Sequence, residues 1–373
     1  VRHLVHDALE VVTDLVEEVH VGTGRRWARR LGAVEPLGVA TEAVVGSQQL
    51  VYETIRLVNR GLAALGDAAE ALVPPPAAPA SRPSRWRDAA QSALNGLYGD
   101  FLEARGNGLA IRMALRHDGH ELPVEREALA RALPAATGRL CLFVHGLGCT
   151  EREWSFRATD GESYGTRLAR DLGITSLYLR YNTGRPILAN GRELAALLAA
   201  LVRAFPTPVA ELALVGHSMG GLVVTSAAHH GAEAGAAWVP LLRHVVCIGS
   251  PHLGAPLEKG VHLLAELLRS FEAPGAQVPA RILDGRSSGI RDLRHGCDVP
   301  FVDGARYAFI ASSVTRDPGH PLGRLVGDLM VRLPSAAGRF RLGRVLGGIN
   351  HVELSNHPEV YAALRDWLSG VSP

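Results

Sequence analysis

The chain is expected to fold as an α/β protein: a mostly parallel sheet with helices on both faces. Three observations predict this. From residue 140 onward, short apolar runs alternate with amphipathic runs of helical period. At one strand-to-helix junction stands the pentapeptide Gly216-His217-Ser218-Met219-Gly220. The alternation then fails once, over about 253–305, as it would at an insertion.

The 373 residues allow one large domain with an appendage, and 47% apolar content can fill a sizeable core. A formal net charge of +2 gives no reason to expect nucleic acid as a partner. The basic residues are almost all Arg, scattered along the chain, with Lys259 the single Lys. Of the four cysteines, Cys141 and Cys247 lie inside strand-like runs, where Cys behaves as a small buried hydrophobe. No CxxC pair and no Cys/His spacing suited to zinc is present, so no metal or other cofactor is expected. Residues 1–10 lack the basic head and apolar run of a signal peptide, and no stretch is apolar for long enough to span a bilayer. The expected location is cytoplasmic, although the chain opens on Val1 instead of Met, as a trimmed sequence would.

The elements follow in order. Residues 4–19 and 44–65 carry apolar side chains at helical spacing and predict an N-terminal helical hairpin over 1–73. A Pro-rich linker follows at 74–85. The main α/β domain is then expected over 86–373. It opens with a helix at 86–98 and a hairpin whose arms, 109–115 and the residues after Asp118-Gly119, meet at an Asp-Gly turn. Strands are expected at 140–144, 175–181, 212–215, 244–248, 307–311 and 340–346. Helices are expected at 164–171 (stopped by Gly173), 193–205, 221–229 and 360–368. Within the insertion, Leu263, Leu264, Leu267, Leu268 and Phe271 would give a helix an apolar face, which predicts a lid.

The pentapeptide has the form GxSxG. Its letters alone would occur about 0.2 times by chance in this composition, so its position carries the inference. A sharp strand–turn–helix exposes a Ser hydroxyl at the C-terminal edge of the sheet, with a helix N-terminus behind it. This predicts the α/β-hydrolase fold with Ser218 as nucleophile. A Ser hydroxyl needs a base, and in this fold the order is Ser, acid, His. His351, in Gly347-Gly348-Ile349-Asn350-His351, lies between the last strand and the last helix. His357 is its rival beside the helix start, and His320 lies too early. The acid should follow the strand at 307–311. Asp328 is preferred to Asp317, which precedes Pro318 as a turn-former would. The oxyanion donors would be the backbone N–H groups of Met219 and of Leu147 in His145-Gly146-Leu147-Gly148, where His145 would fix the loop.

These three motifs, the loop at 145–148, the elbow at 216–221 and Gly249-Ser250-Pro251-His252-Leu253-Gly254-Ala255-Pro256, resemble those of the bacterial triacylglycerol lipase and GPI-inositol-deacylase-like group. The resemblance covers about 139–368. It implies esterase or lipase chemistry, with the acid and base in a Gly-Asp-Gly-x-Val loop and an Asn-His-x-x-Leu loop. Residues 350–354 match the second; 327–331 depart from the first by carrying Leu329 in place of the second Gly. Residues 181–184 and 190–191, with the N-terminal hairpin, look like a bacterial branch of that group known mostly by sequence. The expected substrate is a carboxylic ester or lipid, with thioesterase or acyltransferase chemistry open on the same residues. A non-catalytic lipid-surface or scaffold protein is the alternative from another class. The N-terminal hairpin would then contact a lipid surface; packing on protein is its commoner use.

Overall fold

The computed structural model describes residues 85–156, 158, 162–254, 287–317, 319–320, 327–328, 331 and 343–370. The expected hairpin at 1–73 lies outside them, as does the linker except Arg85, and so does the expected apolar face of the lid at 263–271.

An eight-stranded sheet organises the described residues, in the order β2-β1-β4-β3-β5-β6-β7-β8. Its strands are β1 Ala114–His117, β2 His120–Leu122, β3 Arg139–Val144, β4 Thr175–Arg180, β5 Glu211–His217, β6 Leu242–Ile248, β7 Arg306–Ser313 and β8 Gly343–Gly347. From β4 to β8 all pairings are parallel; β1 is antiparallel to both β2 and β4. The helices are α1 Arg85–Ala104, α2 Arg126–Ala132, α3 Tyr164–Leu172, α4 Ile187–Ala204, α5 Met219–Glu233, α6 Ser288–Leu293 and α7 Pro358–Leu368.

The central strands read as unbroken apolar runs because both of their faces are buried. Alternate residues serve opposite cores. Leu140, Leu142 and Val144 of β3, with Leu212 and Leu214 of β5, pack with Leu194 and Leu198 of α4 and Leu222 of α5. Cys141 and Phe143, with Ala213 and Val215, pack instead with Leu168 of α3 and Val360 and Leu364 of α7. Burying each such Leu contributes roughly 1.5–3 kcal/mol, so both layers hold the strands whose C-terminal ends carry the site. All four cysteines are free thiols. Among the described residues, no helix is long and apolar enough to cross a membrane.

Three expectations are corrected in detail. The first hairpin arm begins at Ala114, not Leu109, because the Asn95 side chain takes up the earlier backbone. It donates to the Leu109 carbonyl at 2.8 Å and accepts from Ile111 N–H at 2.9 Å. The turn itself is as expected, with positive φ at Asp118 (48°) and Gly119 (76°), the type I′ signature. Helix α1 runs past Tyr98 to Ala104 through a kink at that residue, where Asn182 Nδ2 takes the Gly99 carbonyl at 2.8 Å. Finally, the end of the expected insertion is packed structure. Ile290 and Leu293 of α6 are buried in the core. Asp292 accepts from Ile187 N–H at the start of α4, and Asp100 of α1 accepts from Ser288 N–H.

Candidate active site

Three of the loops that bear predicted site residues leave the C-terminal ends of β3, β5 and β8, and the buried turn at 327–328 follows β7 in the chain. At the end of β5, Ser218 takes φ 53° and ψ −122°, a conformation that a residue with a Cβ adopts only under strain. Asp118 in the hairpin turn is the other described non-glycine residue with positive φ. The neighbouring glycines are required by close approach. A Cβ at Gly216 would overlap the backbone of Gly220 and Gly221, and one at Gly220 would overlap the Val144 carbonyl of β3. The Ser218 N–H donates to the Ile248 carbonyl at 2.8 Å, tying the turn to β6, and α5 begins at Met219.

His351 and Asp328, the predicted base and acid, meet directly. His351 Nδ1 lies 2.7 Å from Asp328 Oδ2, with His351 1% and Asp328 0% exposed. Asp328 Oδ1 accepts from Val331 N–H at 2.7 Å, and the His351 N–H donates to the Asp328 carbonyl at 3.0 Å. The carboxylate is therefore fixed by its own turn and also holds the loop that carries the imidazole. A carboxylate facing Nδ1 places that proton on Nδ1 and leaves the lone pair on Nε2. Nε2 is buried and without a protein hydrogen bond. A Ser–His bond that tightens only with substrate is common in unliganded hydrolases. The rivals are placed elsewhere. Asp317 is exposed and accepts Gly319 N–H at 2.8 Å. His357 caps α7, its Nδ1 accepting Glu359 N–H, and His320 is exposed. Asp328→Asn should lower kcat by about 10⁴-fold, as expected when the imidazole loses the group that fixes its tautomer. Asp317→Asn should leave kcat near wild type. Steady-state hydrolysis of a p-nitrophenyl ester checks both, and equal small effects would remove Asp328 from the role.

In the loop after β3, Gly146 N–H donates to Glu153 Oε1 at 3.1 Å and Gly148 N–H to Thr183 Oγ1 at 3.0 Å. Cys149 N–H turns back to the Gly146 carbonyl at 3.2 Å. These bonds leave the Leu147 N–H out of the loop's own network. Met219, the other predicted donor, stands at the first position of α5, where backbone N–H groups lack intrahelical partners. A Cβ on Gly146 would come within 3.2 Å of the Ser218 Cβ, so the loop lies against Ser218. His145 fixes the loop, with Nδ1 2.9 Å from the Gly146 carbonyl and its ring 4.6 Å from Tyr181. Burial holds the His145 pKa below the ordinary imidazole value, against the opposing pull of Glu153. The sequence reading gave no role to Glu153, Thr183 or His217. His217 was visible as the second letter of the pentapeptide, but its partners lie far away in the chain.

Residues 135–275 match the PGAP1-like alpha/beta domain. The fold is that of the α/β-hydrolases. The PGAP1-like match takes in the β3 loop and the strand–turn–helix at Ser218, while Asp328 and His351 lie beyond its end. Among solved structures, the mature lipase BlEst2 of Bacillus licheniformis is 20% identical over 64% of this chain and 94% of its own, at a TM-score of 0.44. The RedJ thioesterase of the prodiginine pathway in Streptomyces coelicolor is 22% identical over 62% and 91%, at 0.39. A hyperthermophilic esterase from the archaeon Pyrobaculum calidifontis is 15% identical over 63% and 74%, also at 0.39. No curated protein matches the chain.

Two other features stand apart from the candidate site at Ser218. A cavity of about 480 Å³ opens beside the β1–β2 hairpin, lined by His117, Glu151, Ser163 and Tyr178 among others, and shares none of the predicted site residues. Among the described residues, His229, His230 and Glu233 are the metal-ligating groups that come within reach of one another. They pair internally, His230 with Glu233 at 3.0 Å and His229 with Glu233 at 3.4 Å. At 1.5 Å per residue they sit roughly 20 Å along α5 from Ser218.

Proposed function

We propose that the protein is a serine hydrolase of carboxylic esters, working through an acyl-enzyme on Ser218. The observation that carries this reading is the 2.7 Å contact between the buried His351 Nδ1 and Asp328 Oδ2, beyond the sheet edge from which Ser218 projects. An imidazole so held has one free nitrogen, and a Ser in a strained elbow is the group that needs it.

In the proposed cycle, Ser218 Oγ attacks the ester carbonyl carbon as His351 Nε2 takes its proton. The carbonyl π pair moves to oxygen, and the Leu147 and Met219 N–H groups stabilise that oxyanion. Collapse reforms the carbonyl and breaks the bond to the alkoxy oxygen, which leaves as the alcohol with the proton from His351. Water then attacks the acyl-enzyme with His351 again as base, releasing the acid and restoring Ser218. Asp328 keeps its charge throughout and stabilises the imidazolium that forms twice per turnover. A thioester would pass through the same steps with a thiol leaving. An alcohol in place of water would make the protein an acyltransferase.

Fluorophosphonate labelling with peptide mapping, followed by a chain-length series of p-nitrophenyl esters and a matched thioester, tests the reading. Label on Ser218 and turnover of at least one ester are expected. Absence of both from folded protein would leave the scaffold reading in place.

A further inference from the structure

We infer that Glu153 and His217 form a buried, charged positioning pair that ties the oxyanion loop, the nucleophile elbow and the loop of the base into one unit. The inference rests on the proposed hydrolase reading for its catalytic consequence, but the pair itself stands on geometry.

Glu153 lies on the short 3₁₀ turn Glu151–Ser155 that follows the oxyanion loop, and His217 is the residue before the nucleophile. Their side chains are 8% and 4% exposed. Glu153 Oε1 accepts from the Gly146 N–H at 3.1 Å and stands 3.4 Å from His217 Nδ1. On its far side, His217 Nε2 lies 3.0 Å from the backbone carbonyl of His351, and the two imidazole rings are 4.9 Å apart. Trp154 closes the pocket with its ring 6.3 Å from that of His217. Three chain segments distant in sequence thus converge on two side chains.

The protonation state follows from the partners. A carbonyl oxygen only accepts, so His217 Nε2 carries a hydrogen. At 3.4 Å the Nδ1 contact with Glu153 is an ion pair longer than a hydrogen bond; a bare Nδ1 lone pair facing a buried carboxylate would be repelled, so the pair as inferred has a hydrogen on Nδ1 as well and His217 as an imidazolium. The surroundings leave the charge to this pair. Burial opposes the charged form of both groups, but Glu153 beside His217 holds the imidazole above its ordinary range. His217, against the cost of burial, holds the Glu153 carboxyl below its own. The other groups facing the pair are engaged or neutral. Asp328 is bonded to His351, Glu151 to Arg180, His145 is pushed down by burial, and burial pushes the Cys149 thiol up. Neither Glu153 nor His217 touches the reacting atoms. They act by holding the amide next to Leu147 and the carbonyl of His351 at fixed distance from the elbow.

The test uses the full chain with Glu153→Gln, His217→Gln and His217→Leu. Ser218 labelling rate, the kcat and KM of a short p-nitrophenyl ester, and imidazole ¹⁵N spectra are read for each. In the wild type, His217 should be doubly protonated at neutral pH, its signals assigned by their loss in His217→Gln. In Glu153→Gln it should become singly protonated. Losing a residue that orients a catalytic group typically costs about 10- to 100-fold, so Glu153→Gln should lower kcat and labelling by that factor with KM changed less than about threefold. His217→Gln keeps an N–H for the His351 carbonyl and should retain more kcat than His217→Leu, the reverse of what core packing alone predicts. A neutral His217 in the wild type overturns the pair, and this arm requires no turnover. So does a labelled, active wild type with Glu153→Gln within about twofold of it, a change too small for a lost positioning contact. If Glu153→Gln does not fold, equal kcat for His217→Gln and His217→Leu overturns the inference. A wild type that is never labelled at Ser218 sinks the hydrolase reading and leaves the spectra to decide the pair.

Discussion

Ser218→Ala is expected to remove ester turnover by about 10⁴- to 10⁶-fold and to abolish fluorophosphonate labelling, while the protein stays folded. The loss is large because the substitution deletes the one atom on which the proposed acyl-enzyme would form. It is not total, because oxyanion donors and substrate binding survive the loss of a nucleophile. Stability should hardly change. The elbow's φ of 53° is no easier for Ala than for Ser, so the strain at this position is kept. The tie of the turn to β6 runs through the Ser218 backbone N–H to Ile248, which Ala retains. Purified variant and wild type should therefore melt together while differing in turnover. Near wild-type esterase activity in the variant would place the chemistry elsewhere in the molecule.

What the sequence disclosed follows from which interactions are local. Leu140–Val144 is legible as a buried strand because two cores each demand apolar side chains at alternate positions, leaving no polar interruption. The elbow is legible because close backbone approach demands glycine at Gly216 and Gly220, and that demand leaves letters in the chain. Boundaries set by distant partners were not legible. Helix α4 starts at Ile187, six residues before the expected Glu193. Asn190 Nδ2 is held by the Asn182 carbonyl at 3.0 Å, and a Cβ at Gly191 would overlap Ser226 of α5, so tertiary contacts fix both residues inside the helix. The same reasoning covers Glu153. In sequence it is one carboxylate in a charged stretch, and only the fold brings it to Gly146 and His217. Asp328 and His351 were picked out separately by their place after the last strands, and the fold brings the two side chains to 2.7 Å, with Val331 N–H on the other carboxylate oxygen.

His351→Ala should be as damaging to turnover as Ser218→Ala, and the double variant little worse than either. A nucleophile without its base and a base without its nucleophile each forfeit the same step, so their losses do not add. The geometry adds a second effect that must be separated from the first. Removing the imidazole leaves the Asp328 carboxylate buried without its ring partner, and an uncompensated buried charge can cost about 3–5 kcal/mol of stability. His351→Asn serves as the control, since its amide can offer an N–H toward Asp328 but no base. It should melt closer to wild type than His351→Ala and yet be equally inactive. His357→Ala should keep turnover near wild type and lower stability by about 1 kcal/mol, the usual cost of losing a helix cap. Its backbone bonds with the Tyr164 hydroxyl, at 2.7 and 3.3 Å, do not involve the imidazole and should survive. Turnover and thermal melting of the six proteins, wild type included, decide the assignment. Inactivity in His357→Ala together with activity in His351→Asn would move the base to His357, and the contact between His351 and Asp328 would then be a structural bond of the loop.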